Sequence, residues 1–255
     1  MNVLAAEWLK IRSIRSSHLI LAISLGAIPL AVAVALSAIA MYDSAPASMR
    51  ASARIAELEE VVLIVPQLAM GVMGVLAITS EYATGLIRTS LALVPRRWPV
   101  LAAKSVVVGG LGLVVGPVVV FTTYVVSRRM LESRYPIADF ADRLPTLVTS
   151  SLTVAVFALL GLGLGAVLRS AAGAIAILVG LVYVIPMIVG NLPEPWSERL
   201  GSVMIGALPR EITGDDLTSS VYGALLSPVA AAVVLALYAV LPPAAGLLLL
   251  RERDA

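Results

Sequence analysis

The sequence predicts an all-α membrane protein with six transmembrane helices, and three observations carry that prediction. Only 13% of the 255 residues are charged while 60% are hydrophobic, against roughly 25% charged in an ordinary soluble domain. The mean hydropathy is +0.99. The charges are also spaced so that six uncharged runs remain, at residues 19–42, 61–80, 105–127, 144–168, 170–193 and 217–250. A helix needs roughly 20 apolar residues to cross the hydrocarbon core, and only helices or closed barrels satisfy their backbone groups in lipid. Runs this long and continuous do not suit barrel strands of about 10 alternating residues.

Taken in order, residues 1–17 read as an interface helix along one leaflet. Leu4, Trp8 and Ile11 share an arc, Lys10, Arg12 and Ser13 point elsewhere, and Glu7 and Arg15 border the apolar arc. A basic segment, an apolar run and Ala38-Ile39-Ala40 imitate a signal peptide. A cleavable apolar region is only about 7–15 residues long, so the run at 19–42 is read as a full span. The spans are expected at about 19–41, 61–79, 104–126, 146–168, 171–191 and 223–250, within one membrane domain covering 1–255. The sixth is the longest, and tilt, or kinks at Pro228 and Pro242, are expected to absorb the excess length. Segment 192–222 contains GSVMIGALP, too short to span and able to dip part-way into a membrane. Gly112 with Gly116, and Gly161 with Gly165, form two G-x-x-x-G pairs. Small residues let membrane helices approach closely, and packing within the chain is the expected use.

With six spans both termini share a side. That side holds ten of the 18 Lys and Arg, including Lys10, Arg12, Arg15, Arg88, Arg96, Arg97 and Lys104, in the shorter set of loops. Positive-inside reasoning therefore places both termini in the cytoplasm of a cell-membrane protein. Twelve of the 16 acids fall in the opposite loops, among them Glu57, Glu59 and Glu60, and are expected to be solvated rather than metal-binding.

No reaction chemistry is legible. Cysteine is absent and His18 is the single histidine, which removes thiolate chemistry and Cys/His metal clusters. The chain has two lysines, Lys10 and Lys104, neither preceded by glycine, so it lacks a phosphate-binding P-loop. It is read as a non-enzyme without a cofactor or metal of its own and without a nucleic-acid partner. The uncharged runs offer no acid or base at membrane depth for ion coupling. Gln67, Thr122, Thr123, Tyr183 and Asn191 are their most polar members, read as helix–helix hydrogen bonds or interface anchors.

The segment EYATGLIRTSLALVPRRWPVLAAK, residues 81–104, is an island of charge between two uncharged runs. Thr79 or Ser80 is expected to cap a helix over 80–95 that Glu81 favours at its first turn and Pro95 ends. At 100° per residue, Glu81, Thr84, Arg88 and Ala92 share one face while Tyr82, Ala83, Leu86, Ile87, Leu93 and Val94 take the other. Gly85 in mid-helix would cost about 1 kcal/mol relative to alanine, which suggests a backbone in close approach.

These residues resemble the permease of the ABC-2 type of ATP-binding cassette exporters, especially the small actinobacterial ones. The match lies in an N-terminal Glu-Trp-x-Lys, the six-span layout, and Glu81-Tyr82-x-x-Gly85-x-Ile87-Arg88-x-x-Leu91 ending Pro95-Arg96-Arg97 and Lys104. Relatives commonly carry Thr after the glycine, where this chain has Leu86. The resemblance implies a coupling helix that docks on a separate ATPase, through Glu81, Tyr82, Gly85, Leu86, Ile87, Arg88 and Leu91, beside an interface helix at Glu7, Trp8, Lys10 and Arg12. It implies two ATPase subunits holding ATP and Mg, and a second permease chain, identical or not. The expected cargo is a hydrophobic or amphiphilic small molecule, lipid or peptide. The alternative expectation is a six-helix scaffold, or an immunity or sensor-associated protein, that transports nothing.

Overall fold

The structure is a computed structural model that describes residues 3–50, 53–85, 98–136, 139–214 and 225–252. Among these residues every regular element is helical. Six helices are long and apolar enough to cross a membrane: span 1, Arg15–Ser44; span 2, Leu58–Thr84; span 3, Trp98–Leu131; span 4, Phe140–Leu168; span 5, Ala171–Gly190; and span 6, Pro228–Leu249. The protein is an all-α, multi-pass membrane protein. A separate helix, Val3–Ser13, precedes span 1.

Span 4 lies at the centre and packs along spans 2, 3 and 6. Small residues make these crossings possible. A Cβ on Gly161 would lie 2.0 Å from the carbonyl oxygen of Gly71, and one on Gly112 would lie 2.6 Å from the Cα of Ala155. Both G-x-x-x-G pairs therefore serve packing within the chain, as expected, because backbones this close leave no room for a side chain. Met70, Val108, Val154 and Ala158 fill one core between spans 2, 3 and 4. Phe157, Leu178, Leu208 and Leu235 fill a second between spans 4, 5 and 6. Spans 1, 5 and 6 keep most of their surface exposed, which suits contact with lipid or another chain.

Several boundaries differ from the sequence expectation. Thr79 and Ser80 start no helix: their hydroxyls donate to the carbonyls of Val75 and Leu76, so they bond back into the preceding turn instead of accepting from amides ahead. Span 2 runs unbroken through Glu81 to Thr84. Gly85 ends it at φ 72°, and a Cβ there would meet nothing within 4 Å. The glycine serves a left-handed helix end, and among the described residues nothing approaches it. Among the described residues span 3 is already helical at Trp98, several residues before the uncharged run. Pro228 is the first residue of its helix, where its missing N–H costs nothing, and so introduces no kink. The expected start of that span near 223 and residues 86–95 of the coupling helix expected over 80–95 lie outside the described residues.

GSVMIGALP folds into the end of the bundle. It joins two short helices, Trp196–Gly201 and Leu208–Thr213. Ile205 and Leu208 are buried with Phe157, Leu178, Ala231 and Leu235, and the Tyr238 hydroxyl donates to the Val203 carbonyl at 3.3 Å. The acids at this end are not all solvated. Glu59 is buried and accepts from Arg143 at 3.2 Å; Glu60 accepts from Arg143 at 2.8 Å and from Arg210 Nε at 2.9 Å. Glu211 is buried and accepts from the Leu226 amide. Arginines on span 4 and on the hairpin reach back over these acids, which is what removes them from solvent. Next to them, Arg134 grips Asp43 through two bonds of 2.9 and 3.0 Å and staples the end of span 3 to that of span 1.

Candidate functional site

The opposite end holds a buried network of four charges. Val3–Ser13 is positioned by its contacts with the start of span 3. The helix turns Glu7 toward the bundle, with Ile11 of the apolar arc packed part-buried against the core, while Leu4 and Trp8 stay exposed. Glu81 is one turn from the end of span 2, and Lys104 sits in the second turn of span 3. Glu7, Glu81 and Lys104 are 4%, 5% and 2% exposed. Such depth is tolerable for charged groups only if their partners are at hand.

The Lys104 ammonium donates to Glu7 Oε2 at 2.6 Å, Glu81 Oε1 at 2.6 Å and the Ala77 carbonyl at 3.0 Å. Its three N–H groups are thereby all used. Lys10 closes the ring from the rim, donating to Glu7 Oε1 at 2.7 Å and Glu81 Oε1 at 2.8 Å. Two acids and two bases leave no net charge. Burial works against the Lys10 ammonium, but the hydrogen bonds and charges of Glu7 and Glu81 outweigh it and hold its pKa above the usual lysine value. Glu81 stands near the negative end of the span 2 helix dipole, where a carboxylate is disfavoured; the two lysines offset that. Its Oε2 is buried without a hydrogen-bond partner among the described residues.

A second contact widens the platform. Arg169, which ends span 4 at φ 53°, lays its guanidinium 5.1 Å from the Tyr82 ring centre. Ser170 then caps span 5 by accepting from the Gly173 amide. The N-terminal helix, the end of span 2, the start of span 3 and the turn between spans 4 and 5 thus meet at one end, and residues 86–97 leave from it and return to it.

No protein-family model matches the chain, and no curated protein is found to match it. Function must be argued from the platform itself. Among the described residues no group of three or more His, Asp or Glu could hold a metal. The network has every base neutralised by an acid, which suits a mechanical joint better than proton transfer.

Of the residues singled out by sequence, Glu7, Lys10 and Glu81 come together in the network and Tyr82 lies beside it. Gly85 shapes the helix end. Trp8 and Arg12 are exposed on the N-terminal helix. Leu86, Ile87, Arg88 and Leu91 lie outside the described residues. Sequence reasoning placed Lys104 at the start of a span and at the end of the resembling motif but not in an ion network, and Arg169 only among the basic residues of one side. It also treated the membrane-depth positions as free of charge, because uncharged runs were taken as whole helices; the helices extend beyond them and bury the flanking charges in pairs. A usable signal did exist: Glu81 and Lys104 close successive uncharged runs on one side with opposite signs.

Proposed function

We propose that this chain is the permease subunit of an ATP-driven exporter of the ABC-2 type, docking through a coupling segment at residues 80–95 on a separate ATPase that carries ATP and Mg. One observation supports this most: both ends of the 86–97 segment are clamped, through Glu81 and Lys104, to each other and to the N-terminal helix. A push on that segment is delivered to spans 2 and 3 and to the N-terminal helix as one body. This is what a handle for an external motor requires, and it fits the resemblance in Glu81-Tyr82-x-x-Gly85-x-Ile87-Arg88. Two permeases and two ATPases make the transporter in this reading, in the cell membrane with both termini cytoplasmic. The mechanism is alternating access, in which closure of the ATPase pair favours one arrangement of the permeases over the other. The mostly aliphatic interior suits a hydrophobic or amphiphilic cargo.

Co-expression with a candidate ATP-binding-cassette ATPase tests the proposal. A stable complex is expected, whose ATPase rate depends on this chain. Glu81→Lys is a poor probe, since it places a third cation in the buried network. Ile87→Asp and Arg88→Glu alter none of the four network residues themselves and are expected to lower the coupled ATPase rate roughly tenfold, the cost of about 1.4 kcal/mol of lost docking, at unchanged yield. If no ATPase associates, the scaffold reading takes its place.

A further inference from the structure

The end of the bundle away from the charge network contains a cavity of about 370 Å³ between spans 2, 4 and 5 and the hairpin. Close-packed interiors do not carry voids of this size, and the volume falls within the range of small-molecule pockets, roughly 300–1,000 Å³. Its wall is apolar where Ile64, Phe157, Leu181 and Val182 line it, and polar where Gln67 and Ser150 face it.

The polar wall has a definite sense. The Thr153 hydroxyl donates to the Ser150 carbonyl at 2.6 Å, so its single proton is used. Gln67 must then point its Nε2 at Thr153 Oγ1, 2.7 Å away. That orientation leaves the Gln67 carbonyl oxygen as an acceptor with no partner among the described residues, on a residue only 7% exposed. The Ser150 hydroxyl, on a residue 3% exposed, likewise makes no hydrogen bond among them. Neither oxygen is among the fully enclosed orphan atoms of the described residues, so both keep access to the cavity they line, where a bound donor can satisfy them.

The wall on span 5 is irregular. Gly180–Val184 is a π-helical turn followed by Pro186, and Leu181, Val182 and Pro186 all line the cavity. Pro186 has no N–H to give the turn before it, and single π turns inside α-helices concentrate at functional sites. The hairpin borders the mouth, and its Arg210 holds Glu60 on span 2; Glu60 in turn accepts from Arg143. Glu60 and Gln67 are seven residues apart, so the acceptor lies about 10 Å below the latch along span 2.

We propose that this cavity is a binding site for a small amphiphile whose polar head donates hydrogen bonds, an amine or hydroxyl, to Gln67 and Ser150 while its apolar body lies on Phe157, Leu181 and Val182. The hairpin is its lid, and the Arg210–Glu60 pair is the latch. In the exporter reading, on which only this consequence rests, the site holds cargo on its way out. Binding itself stands apart from that reading.

The test uses the full-length chain in lipid nanodiscs without any ATPase, titrated with monodansylcadaverine, a fluorescent amphiphile ending in a primary amine. Empty nanodiscs serve as the blank. Saturable enhancement is expected, with Kd raised about tenfold by Gln67→Leu or Ser150→Ala, the loss of one hydrogen bond to a charged donor. Gly206 lines the cavity and a Cβ added there meets nothing within 4 Å, so Gly206→Trp adds bulk at the rim without a backbone clash and is expected to weaken binding. Each variant is first checked for a wild-type melting midpoint. Absence of saturable binding to the wild type, or binding unchanged by Gly206→Trp, overturns the proposal. Because no ATPase is present, this outcome is independent of whether Ile87→Asp uncouples a complex.

Discussion

Lys104 is the residue on which the charged platform turns. Removing one partner of a buried ion network leaves uncompensated charge, at a cost of roughly 3–5 kcal/mol. Lys104→Met is expected to lower stability by that amount in denaturant titrations of the purified protein. It leaves Glu7 and Glu81 sharing only the half-exposed Lys10. Lys104→Met combined with Glu81→Gln restores neutrality and should recover about 1–3 kcal/mol of the loss, the usual coupling between contacting groups. If the double variant is no more stable than the single one, the four charges do not act as a unit. Sequence pointed to this network only obliquely. Glu7 looked like a flaw in an amphipathic pattern, because a pattern shows which face is apolar and not which face meets the protein.

At the scale of elements, the helix ends were the least legible. Hydropathy marks where charge stops, whereas a helix stops where its backbone does, and in span 2 that is five residues past the uncharged run, at Gly85. Gly85→Ala forces an alanine into the left-handed region at about 1–2 kcal/mol, and should shorten or shift the helix end without touching any neighbour. The glycines of span crossings behave differently. Gly161→Ala drives a methyl into the Gly71 carbonyl, whereas Gly110 has nothing within 4 Å of its added Cβ. The first is expected to cost about 1–3 kcal/mol by overpacking; the second should be neutral or stabilising, since alanine is the better helix former by about 1 kcal/mol. Thermal melts of the pair separate close approach from mere glycine content.

For the whole molecule, the prediction is topological. The chain has no cysteine, so single-cysteine variants are free of background. Ser13 and Ser133 are exposed at opposite ends of the bundle. In intact cells a membrane-impermeant maleimide is expected to label Ser133→Cys and to reach Ser13→Cys only after permeabilisation, if the excess of basic residues sets orientation. The reverse pattern would invert the assignment and place the charge network away from any cytoplasmic ATPase.

By itself the sequence determined the fold class, the number of spans and the intrachain use of the glycine pairs, because length, hydropathy and small-residue spacing are local quantities that one strand of text displays. It also singled out Glu7, Lys10 and Glu81, though for their place in a motif. Only the tertiary structure decided that Lys104 joins them, that Arg169 covers Tyr82, and that Gln67, Ser150, a π turn and a distant hairpin line one cavity. Those facts rest on contacts between residues as far as 150 positions apart, as Glu60 and Arg210 are. Such pairings depend on how helices cross, and the crossings are set by backbone approach at Gly71, Gly112 and Gly161, not by the charges that finally meet.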